Sequence, residues 1–177
     1  MTEKVSVRRA TLGDLSAIVE LRIALLREYG DHPLYGRLRA DAPERARRLF
    51  QAQLTSTLEA LFVAEAEGGV VAVLRCVDSA SSPLLYPDRY CYVSSAYVRP
   101  AYRRRGVLRG LLECATDWCR ERGLEEMRLH NAPSSSSAGP AWDALGFEVV
   151  EHVRRRALAA PTARAPESRP AATTRSR

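Results

Sequence analysis

The segment from residue 89 to residue 123 constrains the fold of this chain more than any other stretch. "RYCYVSSAYV" predicts a β-strand, and Pro100 ends it because proline cannot donate a ladder hydrogen bond. After the turn "RPAYRRRG", apolar residues recur at helical spacing and predict an amphipathic helix, which Gly123 ends. The predicted apolar stripe of this helix consists of Leu108, Leu111, Leu112, Ala115, Trp118 and Cys119. The chain therefore contains a strand, a basic turn and a helix in direct succession.

The flanking sequence predicts further strands and helices. "VSVRR" alternates like a short strand, and Thr11 with Asp14 forms a capping-box pattern that opens a helix running to about Tyr29. A second helix is predicted over residues 43–58, and two β-rich runs form a hairpin about the turn at residues 67–69. Downstream, "EEMRLHN" predicts a strand, "AGPAWDAL" a short helix and "FEVVEHVRRRAL" one or two final strands. This order predicts an α/β domain of the α+β kind, with a mainly antiparallel front half.

Composition and charge indicate one globular domain followed by a tail. The chain has 177 residues, of which 46% are hydrophobic and 27% charged, so residues 1–158 are expected to form a single domain. Residues 159–177 are rich in Ala, Pro and Arg without an apolar pattern, and they predict a disordered tail. That tail holds four arginines and one glutamate, which is +3 of the net charge of +6. The body is only mildly basic, so charge does not indicate a nucleic-acid partner, although Arg154, Arg155 and Arg156 leave that hypothesis open.

The four cysteines, Cys76, Cys91, Cys114 and Cys119, predict buried free thiols in a reducing cytoplasm. They form no C-x-x-C pair and no spacing typical of zinc, so no metal is expected. The N-terminus lacks the apolar region of a signal peptide, and no run approaches the ~18 apolar residues of a membrane span. We therefore expect a soluble, cytoplasmic protein with no membrane partner.

The turn "YRRRG" at residues 102–106 could cradle an anionic ligand. The first N–H groups of the following helix have no intrahelical acceptor, and the positive end of the helix dipole favours anions. Gly106 lets a ligand approach the backbone closely, and the preceding arginines add donors for phosphate oxygens. A solvated basic loop is the alternative interpretation. The segment matches neither a Walker loop nor a dinucleotide-binding fingerprint.

At this point the sequence resembles the GNAT superfamily of acyl-CoA-dependent N-acyltransferases. The family signature is a strand ending in V-x-P, followed by a basic residue and a glycine that open a long helix. The segment "YVRPAYRRRGVLRGLLECA" aligns with it through Val98, Pro100, Arg103, Gly106, Leu111 and Leu112. A second family element is matched by Ala138, Gly146 and Phe147. The resemblance spans residues 4–158 and implies helices around a mainly antiparallel sheet, with two strands splayed apart to hold acyl-CoA.

The resemblance also implies which residues hold the donor, acetyl-CoA. Backbone groups of Ala96, Tyr97 and Val98 are expected to bind the pantetheine arm as a pseudo-strand. The loop at 131–137, with Asn131 and Ser135, is expected on the other side of the cofactor. The pyrophosphate is expected to lie against main-chain N–H groups of Arg103, Arg104, Arg105, Gly106, Val107, Leu108 and Arg109.

The sequence departs from the family pattern at several positions that matter for catalysis. Leu108 occupies a position that is usually Gly or Ala, and Ser135 stands where Asn is usual. Trp142 replaces the tyrosine that commonly returns a proton to the CoA thiolate, so we expect it to pack the short helix onto the sheet. Ser94 and Ser95 stand where some members carry an acid. His130 is then a candidate base, with a packed or outward strand histidine as the alternative.

The acceptor is expected near a cluster in the first helix and the following loop. Glu28, Tyr29, His32 and Tyr35 lie where this family builds its acceptor pocket, while Tyr90 and Tyr92 suit core packing or substrate contact. The resemblance predicts transfer of an acetyl group from acetyl-CoA to a primary amine of a small molecule or, second, of a protein. A non-catalytic acyl-CoA sensor is the alternative. Many family members dimerise, so a homodimer is a further expectation.

Overall fold

The structure, a computed structural model, describes residues 4–66, 68–132 and 138–158. One compact unit ends at Phe147 and a second begins at Glu148. The first contains the strands β1 (Ser6–Arg9), β2 (Glu59–Ala66), β3 (Gly69–Ala80), β4 (Arg89–Val98) and β5 (Met127–Leu129). Its helices are α1 (Leu15–Glu28), α2 (Ala42–Leu54), α3 (Val107–Glu121) and α4 (Ala138–Asp143).

The strands form one sheet in the order β1-β2-β3-β4-β5. The first three pairings are antiparallel, and only β4 with β5 is parallel. β4 and β5 are joined through α3, because parallel neighbours need a crossover connection. The predicted hairpin is confirmed by the pairing of Ala66 with Gly69 across its turn. The predicted fold class, a mainly antiparallel sheet with flanking helices, is confirmed.

The core has two layers, one on each face of the sheet. α3 covers one face, where Leu111 and Ala115 are fully buried with Leu74 of β3. α1 and α2 cover the other, where Ile18 and Phe50 pack over Val63 and Val73. Strand residues on both faces are therefore apolar, which explains why the central strands read as nearly continuous hydrophobic runs.

The predicted stripe of α3 needs one correction at its first position. The helix begins at Val107, which is 5% exposed, whereas Leu108 is only partly buried against the same core. Residue 107 lies one turn before Leu111 and therefore points to the same face. The other five predicted stripe residues are Leu111, Leu112, Ala115, Trp118 and Cys119, and all lie in the core as expected.

Two other elements are shorter than predicted. α2 ends at Leu54 rather than residue 58, because the Thr55 hydroxyl donates to the carbonyl of Ala52 at 3.0 Å and Ser56 N–H bonds to Gln53 at 3.2 Å. Such short-range bonds tighten and end a helix. The strand predicted over residues 125–131 is limited to the three residues of β5.

The final strands predicted within residues 147–158 are wrong. No strand is assigned there, and Val149 and Val150 are 72% and 80% exposed. These two valines are adjacent, so a strand would place them on opposite faces, and their β-propensity yields a strand only where a partner supplies hydrogen bonds. The predicted domain boundary at 158 stays a prediction, and the predicted tail at 159–177 lies outside the described residues.

A buried carboxylate joins β1 to the start of α1. Asp14 is 8% exposed, and its two oxygens accept hydrogen bonds from Arg8 at 2.8 Å each. The backbone N–H and hydroxyl of Thr11 also donate to it, at 2.8 and 3.1 Å, which confirms the predicted capping box. The chain continues through a short 3-10 turn, Leu12–Asp14, into α1. The hydrogen bond from Arg8 is the main reason that the pKa of Asp14 falls from 3.8 to about 2.

This geometry predicts a pH-dependent contribution to stability. Because the folded pKa of Asp14 lies below its unfolded value, the stabilisation is complete above pH 3.8 and is lost as the pH falls towards about 2. We expect Asp14→Asn to lower the free energy of unfolding by about 2 kcal/mol at pH 7 and by much less near pH 2. Urea unfolding at both pH values measures this difference.

Glu65→Gln is the matched control, because Glu65 also accepts from Arg8, at 3.0 Å, but its side chain is 44% exposed. It should cost less than about 0.5 kcal/mol. An equal loss from Asp14→Asn at pH 2 and pH 7 would contradict the assignment.

Candidate active site

β4 and β5 part after a short region of pairing. Their register joins Cys91 to Met127, Tyr92 to Arg128 and Val93 to Leu129. β5 ends there, while β4 continues to Val98 along β3. Within the described residues, the second half of β4 therefore has a strand partner on one side only. This is the strand splay that the resemblance implied.

A bulge in β4 lies at the mouth of this opening. Arg75 of β3 pairs with Ser94 and Val73 pairs with Tyr97, so two residues of β4 face one residue of β3. Ser95 takes a left-handed backbone conformation, with φ of 52°. A non-glycine residue in this region costs about 1 kcal/mol, and bulges of this kind commonly redirect side chains beside active sites. The bulge puts Tyr97 into the α1–α2 core, whereas Ala96 packs against the core beneath α3.

The turn between β4 and α3 presents the helix N-terminus towards solvent. Arg104 and Gly106 have φ of 60° and 78°, and Gly106 is the N-cap, with its carbonyl accepting from Gly110 N–H at 3.0 Å. A Cβ built on Gly106 meets no atom within 4 Å. The N–H groups of the first turn have no intrahelical acceptor and lie at the positive end of the dipole. The geometry therefore suits an anion, as the turn sequence predicted.

The side chain of Arg103 does not belong to that cradle. Its Nε donates to the carbonyl of Val98 at 2.9 Å, and its Nη2 donates to both oxygens of Glu28 at 2.7 and 2.9 Å. The hydroxyl of Tyr97 donates to the same Glu28 at 3.0 Å, and the guanidinium lies 5.5 Å from the Tyr97 ring. Arg103 thus ties the end of β4 to the end of α1, a role that its position in the motif did not reveal. Glu28 was predicted to line the acceptor pocket, but its carboxylate accepts hydrogen bonds from Arg103 and Tyr97.

Three other predicted cofactor residues lie on the surface around the N-terminus of α3. Arg104, Arg105 and Arg109 are exposed, and Arg105 lies over the Tyr102 ring at 5.5 Å. Asn131 is exposed, with its amide nitrogen 4.0 Å from a Cβ built on Gly139 at the start of α4. Ser135 lies outside the described residues.

Trp142 packs as predicted. Its ring meets that of Phe147 edge-on, with centroids 5.3 Å apart, and it joins the core on the α3 face. The residue that replaces the family tyrosine is therefore a packing residue here.

On the α1 face of the sheet, polar side chains form a row across three strands. Arg75 of β3 donates to Glu59 of β2 at 2.7 Å and to the hydroxyl of Ser94 at 3.0 Å. Both charged side chains are largely buried, with 18% and 16% of their surface exposed. Tyr92 lies two residues before Ser94, and its hydroxyl is 2.9 Å from Nδ1 of His130. Burial raises the pKa of Tyr92. The row leads towards the point where β4 and β5 separate.

The aromatic loop after α1 folds into a compact cluster. The rings of His32 and Tyr35 stack at 4.7 Å, and Tyr29 lies 5.7 Å from Tyr35. Nδ1 of His32 accepts from the N–H groups of Leu34 and Tyr35 at 3.2 and 3.3 Å, so this histidine holds the loop. Burial is the main reason that the pKa of Tyr29 is raised.

Three of the four cysteines lie in the core, and all four are free thiols, as predicted. The pKa of Cys91 is raised to about 12; a hydrogen bond with Cys119 lowers it, but one with Cys76 and burial outweigh that effect. Neutral thiols of this kind are poor nucleophiles.

In the described part of the chain, no group of three or more His, Cys, Asp or Glu side chains could hold a metal ion. No helix there is long and apolar enough to cross a membrane.

Residues 22–147 match the family model described as Acetyltransferase (GNAT) family. This chain belongs to the GNAT acetyltransferase family. An aminoglycoside N(6')-acetyltransferase type 1 of Salmonella typhimurium is 30% identical over 73 residues, which is 41% of this chain and 46% of that enzyme. The chain thus matches about half the length of this GNAT relative.

Solved GNAT structures share the fold. A predicted acetyltransferase of Clostridium acetobutylicum with acetyl-CoA superposes with a TM-score of 0.71 and 21% identity, over 87% of this chain and 96% of the other. An aminoglycoside N-acetyltransferase in complex with CoA gives 0.72 and 20% identity, over 89% and 97%. The predicted family and fold are confirmed.

Sequence reasoning missed three charged residues of this site, namely Arg22, Glu59 and Arg75. Arg75 interrupts the apolar run "VVAVL-R-CV" at a position whose neighbours Leu74 and Cys76 are fully buried. Arg22 lies between the buried residues Leu21 and Ile23. A charge inside an apolar run was the available signal, because such a charge needs a partner.

The polar row predicts a stability difference between two ion pairs. Arg75→Gln leaves Glu59 as an unpaired and largely buried carboxylate, so we expect the free energy of unfolding to fall by about 3 kcal/mol. Arg120→Gln is the control, because its ion pair with Asp117 is 74% and 70% exposed and should contribute less than about 0.5 kcal/mol. Urea unfolding of both variants measures the difference, and equal losses would contradict a buried role for Arg75.

Proposed function

We propose that this protein transfers an acetyl group from acetyl-CoA to a primary amine of a small molecule. The observation that carries the proposal is the opening between β4 and β5 beside the N-terminus of α3, whose N-cap is the left-handed Gly106. An opening between strands can admit a thioester arm, and a helix N-terminus with open space at its cap can bind a pyrophosphate. The relatives named as aminoglycoside acetyltransferases support a small-molecule acceptor.

We assign donor binding mainly to the main chain. Peptide groups of Ala96, Tyr97 and Val98 would bind the pantetheine arm, and N–H groups from Arg104 to Arg109 the pyrophosphate. Arg103 would act by holding the end of β4 through its bond to Val98, 2.9 Å long. Asn131 and Ser135 would flank the other side of the donor. Leu108 is partly buried, so its side chain leaves the N–H groups of the turn available.

The proposed reaction is direct transfer within a ternary complex. The amine nitrogen forms a bond to the thioester carbonyl carbon, the C–S bond breaks, and CoA leaves as a thiolate. A thiol with a pKa near ~8.5 leaves without protonation, so the absence of a tyrosine at Trp142 is tolerable. A main-chain N–H near Val98 would stabilise the developing oxyanion. Holding both reactants in one cleft supplies much of the acceleration.

The ammonium proton of the acceptor must leave before attack, and the Tyr92–His130 pair lies where the strands part. His130 is exposed and bonded to the Tyr92 hydroxyl at 2.9 Å, so it could pass a proton to solvent through water. We therefore propose His130 as the proton acceptor.

Two further proposals concern the whole protein. One is a cytoplasmic location, which the four free thiols support, and the other is a homodimer.

The activity is tested by release of CoA thiol from acetyl-CoA with a panel of primary amines. Amine-dependent release supports an acetyltransferase. The packing of Trp142 against Phe147 favours one other candidate, a domain that binds acyl-CoA without turnover. Tight binding of acetyl-CoA with no release under any amine would select that candidate.

Gly106 allows a sharp test of the donor site. We expect Gly106→Glu to weaken acetyl-CoA binding by at least about 100-fold in calorimetry, because a carboxylate at the N-cap would occupy and repel the pyrophosphate site. Gly123→Glu is the matched control at the other end of α3, since Gly123 also has a left-handed φ, 65°, and open space. Both variants carry backbone strain of about 1 kcal/mol, and only the first should lose binding. Equal affinities would refute the cradle.

A second variant tests the proton acceptor. We expect His130→Gln to lower kcat by about 100-fold while the KM for acetyl-CoA stays unchanged, because a glutamine amide cannot accept the proton. His152→Gln is the control, since His152 is an exposed histidine in the described segment after Phe147. Steady-state kinetics with one fixed amine measure both. Full activity of His130→Gln would assign proton removal to water alone.

A further inference from the structure

Arg22 differs from the other arginines of the described chain in how its charge is balanced. Seven described arginines are half-buried: Arg8, Arg22, Arg75, Arg99, Arg103, Arg122 and Arg128. Six of these have a carboxylate within 3.5 Å, supplied by Asp14, Glu59, Glu20, Glu28, Asp78 and Glu126. Within the described residues, Arg22 is the half-buried arginine that has no ion pair.

The surroundings of Arg22 contain hydroxyl groups and a second cation. Its strongest electrostatic neighbours are Tyr35, Arg75, Tyr92 and Tyr29, and no carboxylate is among them. Arg75 is already committed to Glu59 and Ser94. Burial, as the largest effect, lowers the pKa of Arg22, and Arg75 lowers it further. The side chain remains a cation, since an arginine is not deprotonated in proteins.

A half-buried cation beside another cation is unfavourable unless an anion offsets it. Arg22 lies on α1, above the face of the sheet that carries Tyr92 and Ser94. Tyr92 in turn contacts His130 beside the opening where the acceptor amine must enter. The uncompensated charge is therefore on the acceptor side of the site.

We propose that the acceptor is an amine that also carries an anionic group, a carboxylate or a phosphate, and that Arg22 binds that group. The guanidinium offers a fork of donors that matches either oxyanion. Tyr29 and Tyr35, whose rings lie 5.7 Å apart, are among its electrostatic neighbours. The inference rests on the proposed function and narrows its substrate class. A polycationic aminoglycoside would be repelled by Arg22, so this chain would differ in acceptor from the relatives named for aminoglycosides.

Matched acceptors test the proposal by turnover. The probes are tyrosine against tyramine, β-alanine against ethylamine, phosphoethanolamine against ethanolamine, and the aminoglycoside kanamycin. We expect kcat/KM to be at least about tenfold higher for the anionic member of one pair or more, and kanamycin to be a poor acceptor. A preference for the members without an anionic group, or for kanamycin, would overturn the proposal. The carboxylate and phosphate pairs distinguish the two oxyanions.

Variants of Arg22 connect that preference to the side chain. Arg22→Gln should abolish the preference by raising the KM of the anionic amine, and Arg22→Lys should retain part of it. Arg27→Gln, an exposed arginine of the same helix, should change nothing. An unchanged preference in Arg22→Gln would refute the role of Arg22. Binding of acetyl-CoA is followed separately by calorimetry, so failure of the donor site is distinguishable from failure of this inference.

Thermal measurements give an answer even without turnover. Anionic amines, added with CoA, should raise the Tm of the wild-type protein and not that of Arg22→Gln; no shift by any anionic amine would count against the proposal. In the absence of ligands, Arg22→Gln should leave the Tm unchanged or raise it, whereas Arg75→Gln should lower it, because only the second removes an internal ion pair. A loss of Tm in Arg22→Gln equal to that in Arg75→Gln would assign Arg22 a structural role and overturn the proposal.

Discussion

The incomplete pairing of β4 is the constraint on which the rest of the site depends. This strand has partners on both sides from Cys91 to Val93 and on one side beyond, where the bulge at Ser95 bends it. Peptide groups that leave one ladder need other partners, so an unpaired strand segment beside a helix N-terminus provides a binding edge. Arg103 stabilises this geometry, because its guanidinium joins the carbonyl of Val98 to the carboxylate of Glu28.

Charge is arranged differently on the two sides of this opening. Beside the N-terminus of α3, the arginines after Arg103 are exposed, and the main-chain N–H groups of the first helical turn have no intrahelical acceptor. On the α1 face of the sheet, Glu59 neutralises Arg75, while Arg22 has no ion pair with any described residue. Arginine is the usual cation of this chain, and the other half-buried arginines in the described part of the chain are paired. The exception is the residue to which we assign the anionic group of the acceptor.

Much of the fold and part of the site followed from local patterns. The capping box at Asp14, the hairpin turn and the stripe of α3 use short-range rules, and the structure confirms them. The strands predicted after Phe147 failed, because β-propensity cannot indicate whether a partner edge is available. The pairing of Arg103 with Glu28 was equally invisible, since 75 residues separate them in the chain.

The sequence by itself determined the family, the order of the main elements and the basic turn that ends in Gly106, because each of these depends on residues close together in the chain. Only the tertiary structure decided which charges meet. In the folded chain, Arg103 binds Glu28 and Tyr92 contacts His130. Arg22 has no carboxylate partner among the described residues. The physical reason is that electrostatic and hydrogen-bond balance is set by distance in space, and packing of α1 over the sheet fixes those distances.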